Sequence, residues 1–229
     1  MEKRNNNYKV DKEVIKGDVI PILLIISLFL IGIILFPRLP DKIPSHWNAS
    51  GQIDAYQSRI WGVFGIPLML VGIYALMLFL PYIDPKRENY LKFKSTYKIF
   101  RLAIVAVFTI IQISILISAL GGPKTLIPKL VPITIGILLI VIGNYMPRIK
   151  FNWFVGIKTP WTLSSEEVWK GTHRFAGYMF VIAGILMILA GFLTAPMNII
   201  VGLAGVVVAA VFSTVYSYFL FIRVKSNKK

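Results

Sequence analysis

Six stretches of the chain are apolar and uncharged for long enough to cross a bilayer: residues 19–36, 61–83, 102–120, 130–146, 175–193 and 198–222. A hydrocarbon core about 30 Å thick takes roughly 20 residues of α-helix, and each stretch is close to that length. The pattern predicts an all-α, polytopic membrane protein with six transmembrane helices. Pro21 suits the first turn of its helix, whereas Pro67 and Pro132 lie deeper and predict kinks. Neighbouring helices must then cover the freed carbonyls.

The polar segments set the orientation. Of the 25 Lys and Arg residues, 20 fall in segments 1–18, 84–101, 147–174 and 223–229, and 5 in the alternate connections. Basic connections stay on the cytoplasmic side, so both termini are expected in the cytoplasm. The chain then divides into a basic N-terminal segment (1–18), a two-helix module (19–83) with a structured outside loop (37–60), and a cytoplasmic interfacial segment (84–101). A four-helix module (102–222) with a cytoplasmic loop (147–174) and a basic tail (223–229) follow.

Composition agrees with lipid as the solvent, since 56% of the 229 residues are hydrophobic and 15% charged. The net charge of +15 sits in separate blocks rather than on one folded face, so direct nucleic-acid binding is not expected. The chain has no Cys, which excludes disulfides and thiolate metal sites. The first apolar run has no small-residue cleavage site and reads as a retained helix.

No Asp, Glu, Lys, Arg or His falls in the core of a span drawn this way, which disfavours an ion-coupled carrier. Gln112, Ser114, Ser118, Asn144, Ser213 and Thr214 are read as interhelical hydrogen-bonding groups. In the fifth span Ala176-Gly177, Ala183-Gly184 and Ala190-Gly191 recur every seven residues, a small-residue stripe for close helix packing.

Three polar segments carry candidate chemistry. The outside loop holds Pro40, Asp41, Pro44, His46, Trp47, Asn48 and Gly51, with two prolines to stiffen it, a turn at 48–51 and an interfacial Trp. It is a candidate ligand loop. His46 with Asp41 and Asp54 offers metal-binding residue types without regular spacing, so an ordered or partner-binding loop is preferred and no cofactor is expected. Segment 84–101 spaces Tyr90, Phe93, Tyr97 and Phe100 three and four apart among lysines, the pattern of a helix anchored at an anionic membrane surface.

The third segment leads from Asn144 through Gly156, Lys158, Thr159, Pro160, Trp161 and Thr162 to Glu167, Trp169, His173 and Arg174. It is a candidate surface for a cytoplasmic partner. Ser164 and Glu167 have capping-box spacing, predicting a helix that starts here and runs into the fifth span, with Trp169 and His173 on one face.

The stretches Ile142-Gly143-Asn144-Tyr145-Met146-Pro147, Gly156-Ile157-Lys158-Thr159-Pro160-Trp161-Thr162-Leu163 and Thr172-His173-Arg174-Phe175-Ala176-Gly177 resemble the SdpI family of bacterial toxin-immunity membrane proteins. The loop from Leu39-Pro40-Asp41 to Gly51 is similar to an amino-terminal module of unknown function present in many relatives. The resemblance implies an integral membrane protein that protects its cell against a secreted peptide toxin and helps to signal the toxin's presence. The outer loop would meet the toxin and the cytoplasmic segment would hold a transcriptional regulator. Alternative readings are a transporter of small or peptide molecules and, third, a membrane enzyme built on Glu167 near His173.

Overall fold

The computed structural model describes residues 8–194 and 196–227; the rest of the two basic termini, and Ala195 in the connection before the last span, lie outside the described residues. Among the described residues, six helical segments are long and apolar enough to cross a membrane. They are α2 (Val19–Leu35), α3 (Arg59–Ile83), α5 (Lys94–Ala119), α6 (Leu126–Tyr145), α8 (Glu166–Ala190) and α9 (Met197–Ser226). A 3-10 turn extends α2 over Phe36–Arg38 and another extends α6 over Met146–Arg148. Short helices α1 (Lys12–Gly17), α4 (Asn89–Lys92) and α7 (Pro160–Ser164) precede α2, α5 and α8. Two of the long helices start well before their apolar runs, because charged residues prolong a helix beyond the hydrocarbon without breaking it.

Among the described residues, the one sheet lies in the first loop. Strands β1 (Lys42–Trp47) and β2 (Ile53–Ser58) pair antiparallel, with irregular register between Pro44 and His46 and between His46 and Trp47. A proline cannot donate to the ladder, and a bulge absorbs that defect. Asn48 Oδ1 accepts from the Ser50 and Gln52 N–H groups at 2.9 and 3.0 Å, and Gly51 takes φ +74°. The hairpin is seated on the bundle through buried Ile43, which lies against Gly62 of α3 where a Cβ would come within 2.6 Å of it.

Helices α2 and α3 pack on α5, α6 and α9 pack on α8, and α5 meets α6. The seven-residue stripe serves two neighbours. Gly177 and Gly184 face Gly143 and Gly136 of α6, where a Cβ would lie 2.5–2.8 Å from the opposing carbonyl oxygen. Ala183 instead faces α9 at Gly205. Backbone-to-backbone approach of this kind maximises dispersion where lipid supplies no hydrophobic drive.

The helices run through their internal prolines, and α5 supplies hydrogen bonds that the prolines in α3 cannot. Pro67 leaves the Val63 carbonyl without its N–H, and Gln112 Nε2 donates to it at 3.0 Å and to Gly62 O at 3.0 Å. Pro81 likewise frees the Met77 carbonyl, which the Tyr97 hydroxyl takes. Gln112→Leu keeps the volume but strands the buried Val63 carbonyl. It is expected to cost about 1 kcal/mol, read as a lower melting temperature in detergent.

One expectation changes here. The aromatics of segment 84–101 do not anchor a surface helix: Tyr90, Phe93, Tyr97 and Phe100 are buried in one cluster with Tyr8, Met146, Ile149 and Trp169. Their spacing is helical, but the chain folds inward through α4 and protein rather than lipid covers them. Charge also enters the bundle. Asp18 and Arg101, which bound the first and third apolar runs, are both buried and form a bidentate ion pair at 2.7 and 3.1 Å.

Candidate functional site

One end of the bundle carries the hairpin, the α5–α6 turn and the α8–α9 connection; the other carries both chain ends and segments 84–92 and 147–165. Each end presents a candidate site.

At the hairpin end an open cleft of about 760 Å³ lies between the hairpin turn and the ends of α6, α8 and α9. Gly51, Gln52 and Tyr56 form one wall, and Lys124, Lys129 and Asn198 stand on the helical side. Gly51 lies against Pro128, where a Cβ would come within 2.9 Å of the ring, so the turn is fitted to the start of α6. Tyr56 is more than half exposed. The cleft thus offers an exposed aromatic ring, two ammonium groups and amide donors, a set suited to a peptide with carboxylate or carbonyl acceptors.

Of the outer-loop residues named from sequence, Gly51 lines this cleft. Asn48 builds the turn, Trp47 is half-buried in the cluster beneath the hairpin, and Pro44 is buried. Pro40 and Asp41 hold Arg59 at the start of α3, the former through its carbonyl and the latter through its carboxylate. His46 Nδ1 lies 2.6 Å from Asp54 Oδ1. His46 and Asp41 are therefore spent in separate pairs, and among the described residues no group of three or more His, Cys, Asp or Glu side chains is placed to hold a metal. Tyr56, Lys124 and Lys129 carried no motif signal; only chain folding brings them together.

At the opposite end, segment 147–165 is a built platform. Asn152 is fully buried: its Oδ1 accepts from the Phe154 and Val155 N–H groups at 2.9 and 2.7 Å, and its Nδ2 donates to the Lys150 and Val155 carbonyls at 2.9 Å each. Buried Asp84 accepts from the Tyr90 hydroxyl, Trp153 N–H and Lys86 N–H, and Asn89 Nδ2 donates to Phe151 O at 2.8 Å. Burial first, and then the Asp84 carboxylate, raises the Tyr90 phenol well above its ordinary pKa, so this hydroxyl stays a donor. The residues after α3 and the residues after α6 are thereby locked together.

His173 and Trp169 stack at 4.1 Å on one face of α8, as their spacing predicts. His173 Nε2 accepts from Ile157 N–H at 3.1 Å, which fixes the proton on Nδ1, and Nδ1 donates to Trp169 O at 2.8 Å. Trp169 Nε1 donates to Ile149 O at 3.0 Å. Gly156 crosses this ring at φ +119°, where a Cβ would sit 2.3 Å from His173 Nε2. Thr159 and Thr162 close a reciprocal capping box at the start of α7, and Thr159 Oγ1 lies 3.1 Å from Ser217 Oγ of α9.

The box expected at Ser164 and Glu167 is not formed. Ser164 ends α7 and donates to Trp161 O at 2.9 Å, while Ser165 caps α8. The extended backbone that a cap needs falls one residue later because α7 occupies the preceding turn. Four residues read as a partner surface also turn inward: Thr159, Thr162, Trp169 and His173 are buried and shape the platform. Asn144, Gly156, Lys158, Pro160, Glu167 and Arg174 are exposed, and Trp161 is half-buried against Tyr218. Trp153, 47% exposed, is an addition that the sequence did not single out. Both ring nitrogens of buried His173 are engaged, so the histidine that the enzyme reading sets near Glu167 has no ring nitrogen free to act as a base. Of the polar groups expected to bond between helices, Gln112 does so, whereas Ser114, Asn144 and Ser213 each donate to a carbonyl four residues earlier in their own helix, which satisfies the hydroxyl or amide locally.

Residues 148–217 match the model of the SdpI/YfhL protein family, and residues 23–71 match a domain of unknown function, DUF1648. The chain is similar to the immunity protein SdpI of Bacillus subtilis (strain 168), 30% identical over 213 residues, spanning 93% of this chain and 100% of that protein. No solved structure matches. Both candidate ends lie inside the aligned length.

Proposed function

Since this chain belongs to the SdpI/YfhL protein family and is a multi-pass protein of the cell membrane, we propose that it confers immunity to a secreted peptide toxin. The hairpin end faces outward and both termini face the cytoplasm, in accord with the 20-to-5 division of Lys and Arg. The observation that carries the reading is similarity to an immunity protein along the whole of that protein's length.

The toxin meets the cleft between hairpin and helix ends, where Tyr56, Lys124 and Lys129 supply contact and charge. The exposed residues of the platform, with Trp153 among them, form the docking face for a cytoplasmic regulator. Two helices connect the sites: α8 carries Gly191 beside its outer end and Trp169 and His173 at the other, and α9 carries Asn198 at the cleft and Ser217 under the platform. A ligand shifts such a bundle only by binding one packing better than another. The spans interlock through glycines, so a change of packing moves whole helices.

A toxin-sensitive host is grown with and without the chain in culture supernatant of the native organism. The wild-type chain is expected to protect, the Lys124→Ala, Lys129→Ala double variant to protect at least tenfold less well, and Trp153→Ala to protect fully. Absence of protection with the protein present in the membrane would overturn the proposal.

A further inference from the structure

A second cleft, of about 280 Å³, lies between α1 and the start of α5, at the same end of the bundle as the platform; its lining includes Tyr8, Lys9, Lys98 and Arg101. Its N-terminal wall is pinned from outside the cleft. Arg87 Nε donates to the Tyr8 carbonyl at 2.7 Å, Val10 N–H donates to the Tyr82 hydroxyl at 2.8 Å, and the buried Tyr8 ring packs 6.1 Å from Tyr90.

Arg101, 3% exposed, spends Nε and Nη2 on Asp18, but Nη1 makes no hydrogen bond of good geometry among the described residues. The buried Tyr8 hydroxyl faces the guanidinium and has no other polar partner among the described residues, so its own O–H is left without an acceptor. Leaving buried donors unmatched is costly, and here two of them belong to residues lining one cleft. The acids of the lining are otherwise engaged: Asp11 Oδ1 caps α1 by accepting from Val14 N–H, and Glu13 pairs with Lys94 at 3.8 Å. Lys9 and Lys98 have no acidic partner among the described residues. The cleft therefore holds an excess of donors and positive charge.

Its depth narrows the ligand. Asp18 and Arg101 stand where the first and third apolar runs begin, the level of lipid headgroups. We infer that this cleft binds a phosphate oxyanion, supplied by the headgroup of an anionic phospholipid. The phosphate accepts from Arg101 Nη1 and the Tyr8 hydroxyl, and Lys9 and Lys98 balance its charge. Bound there, the lipid clamps the N-terminal segment to α5.

The test uses the full chain purified in detergent, with phosphatidylglycerol, phosphatidylcholine and inorganic phosphate added separately, read by thermal melting and by native mass spectrometry. Phosphatidylglycerol is expected to raise the melting temperature more than phosphatidylcholine and to stay bound. Lys98→Gln should weaken that binding about fivefold, the worth of one basic residue near a headgroup. Tyr8→Phe, which keeps the ring packing, should weaken it several-fold, and Lys225→Gln on the exposed end of α9 should not change it. A shift produced by inorganic phosphate in place of lipid would overturn the lipid source and assign the cleft to a soluble phosphate. Equal binding of the two lipids, or an unchanged preference in both cleft variants, would overturn the site.

Discussion

Asp18→Ala is expected to cost the fold about 3–5 kcal/mol, the range for removing one partner of a buried ion pair. Asp18 is fully buried where α1 hands over to α2 and receives Arg101 Nε and Nη2 from α5 and the Tyr74 hydroxyl from α3, the last at 3.0 Å. One carboxylate thus ties three spans. Removing it leaves a buried guanidinium without its carboxylate, and the energy of that stranded ion exceeds what the pair itself contributed. Asp18→Ala combined with Arg101→Leu should recover most of the loss, because neither charge remains to be desolvated. Melting temperature and yield in the membrane fraction measure both. A single variant within about 1 kcal/mol of wild type would mean that water reaches the pair.

Gly156→Ala follows, at about 2–4 kcal/mol from a backbone region that side chains avoid together with a steric overlap. A Cβ at Gly156 would require φ +119° and would overlap the His173 ring at 2.3 Å. Relief must come either from the loop, losing the Ile157 N–H bond to His173, or from the ring, losing its stack on Trp169. Either movement loosens the platform at Lys150 and Lys158, so faster trypsin cleavage there should accompany the lower melting temperature. Gly72→Ala is the control: nothing lies within 4 Å of the added Cβ in α3, and the change should stay within about 0.5 kcal/mol.

The spans were legible because a bilayer imposes length and polarity on any helix that crosses it. The division of Lys and Arg gives an expected orientation, which labelling in intact cells tests. Segment 84–101 was misread because helical spacing of Tyr90, Phe93, Tyr97 and Phe100 states that one face is apolar and not whether lipid or protein covers it. The hairpin was visible as an ordered loop with its turn at 48–51, but not as strands, because Pro44 breaks the alternation. In segment 147–174 the sequence did not separate two kinds of residue. Thr159, Thr162, Trp169 and His173 shape the platform from within, and their neighbours Lys158, Pro160 and Arg174 cover it. Asp18 with Arg101, and Lys129 with Tyr56, are distant in the chain, and no local pattern announces such pairs.

The proposed function places the toxin in the cleft at the hairpin end and that end outside the cell, and the absence of cysteine from the chain allows a direct test. Gln52→Cys places a single thiol on the exposed wall of that cleft. Toxin-challenged cells are scored for growth before and after treatment with a bulky, membrane-impermeant maleimide. The variant is expected to protect before treatment, to be labelled in intact cells, and to lose protection once labelled. Labelling that occurs only after lysis would contradict the orientation, and full protection by the labelled protein would contradict the role of the cleft.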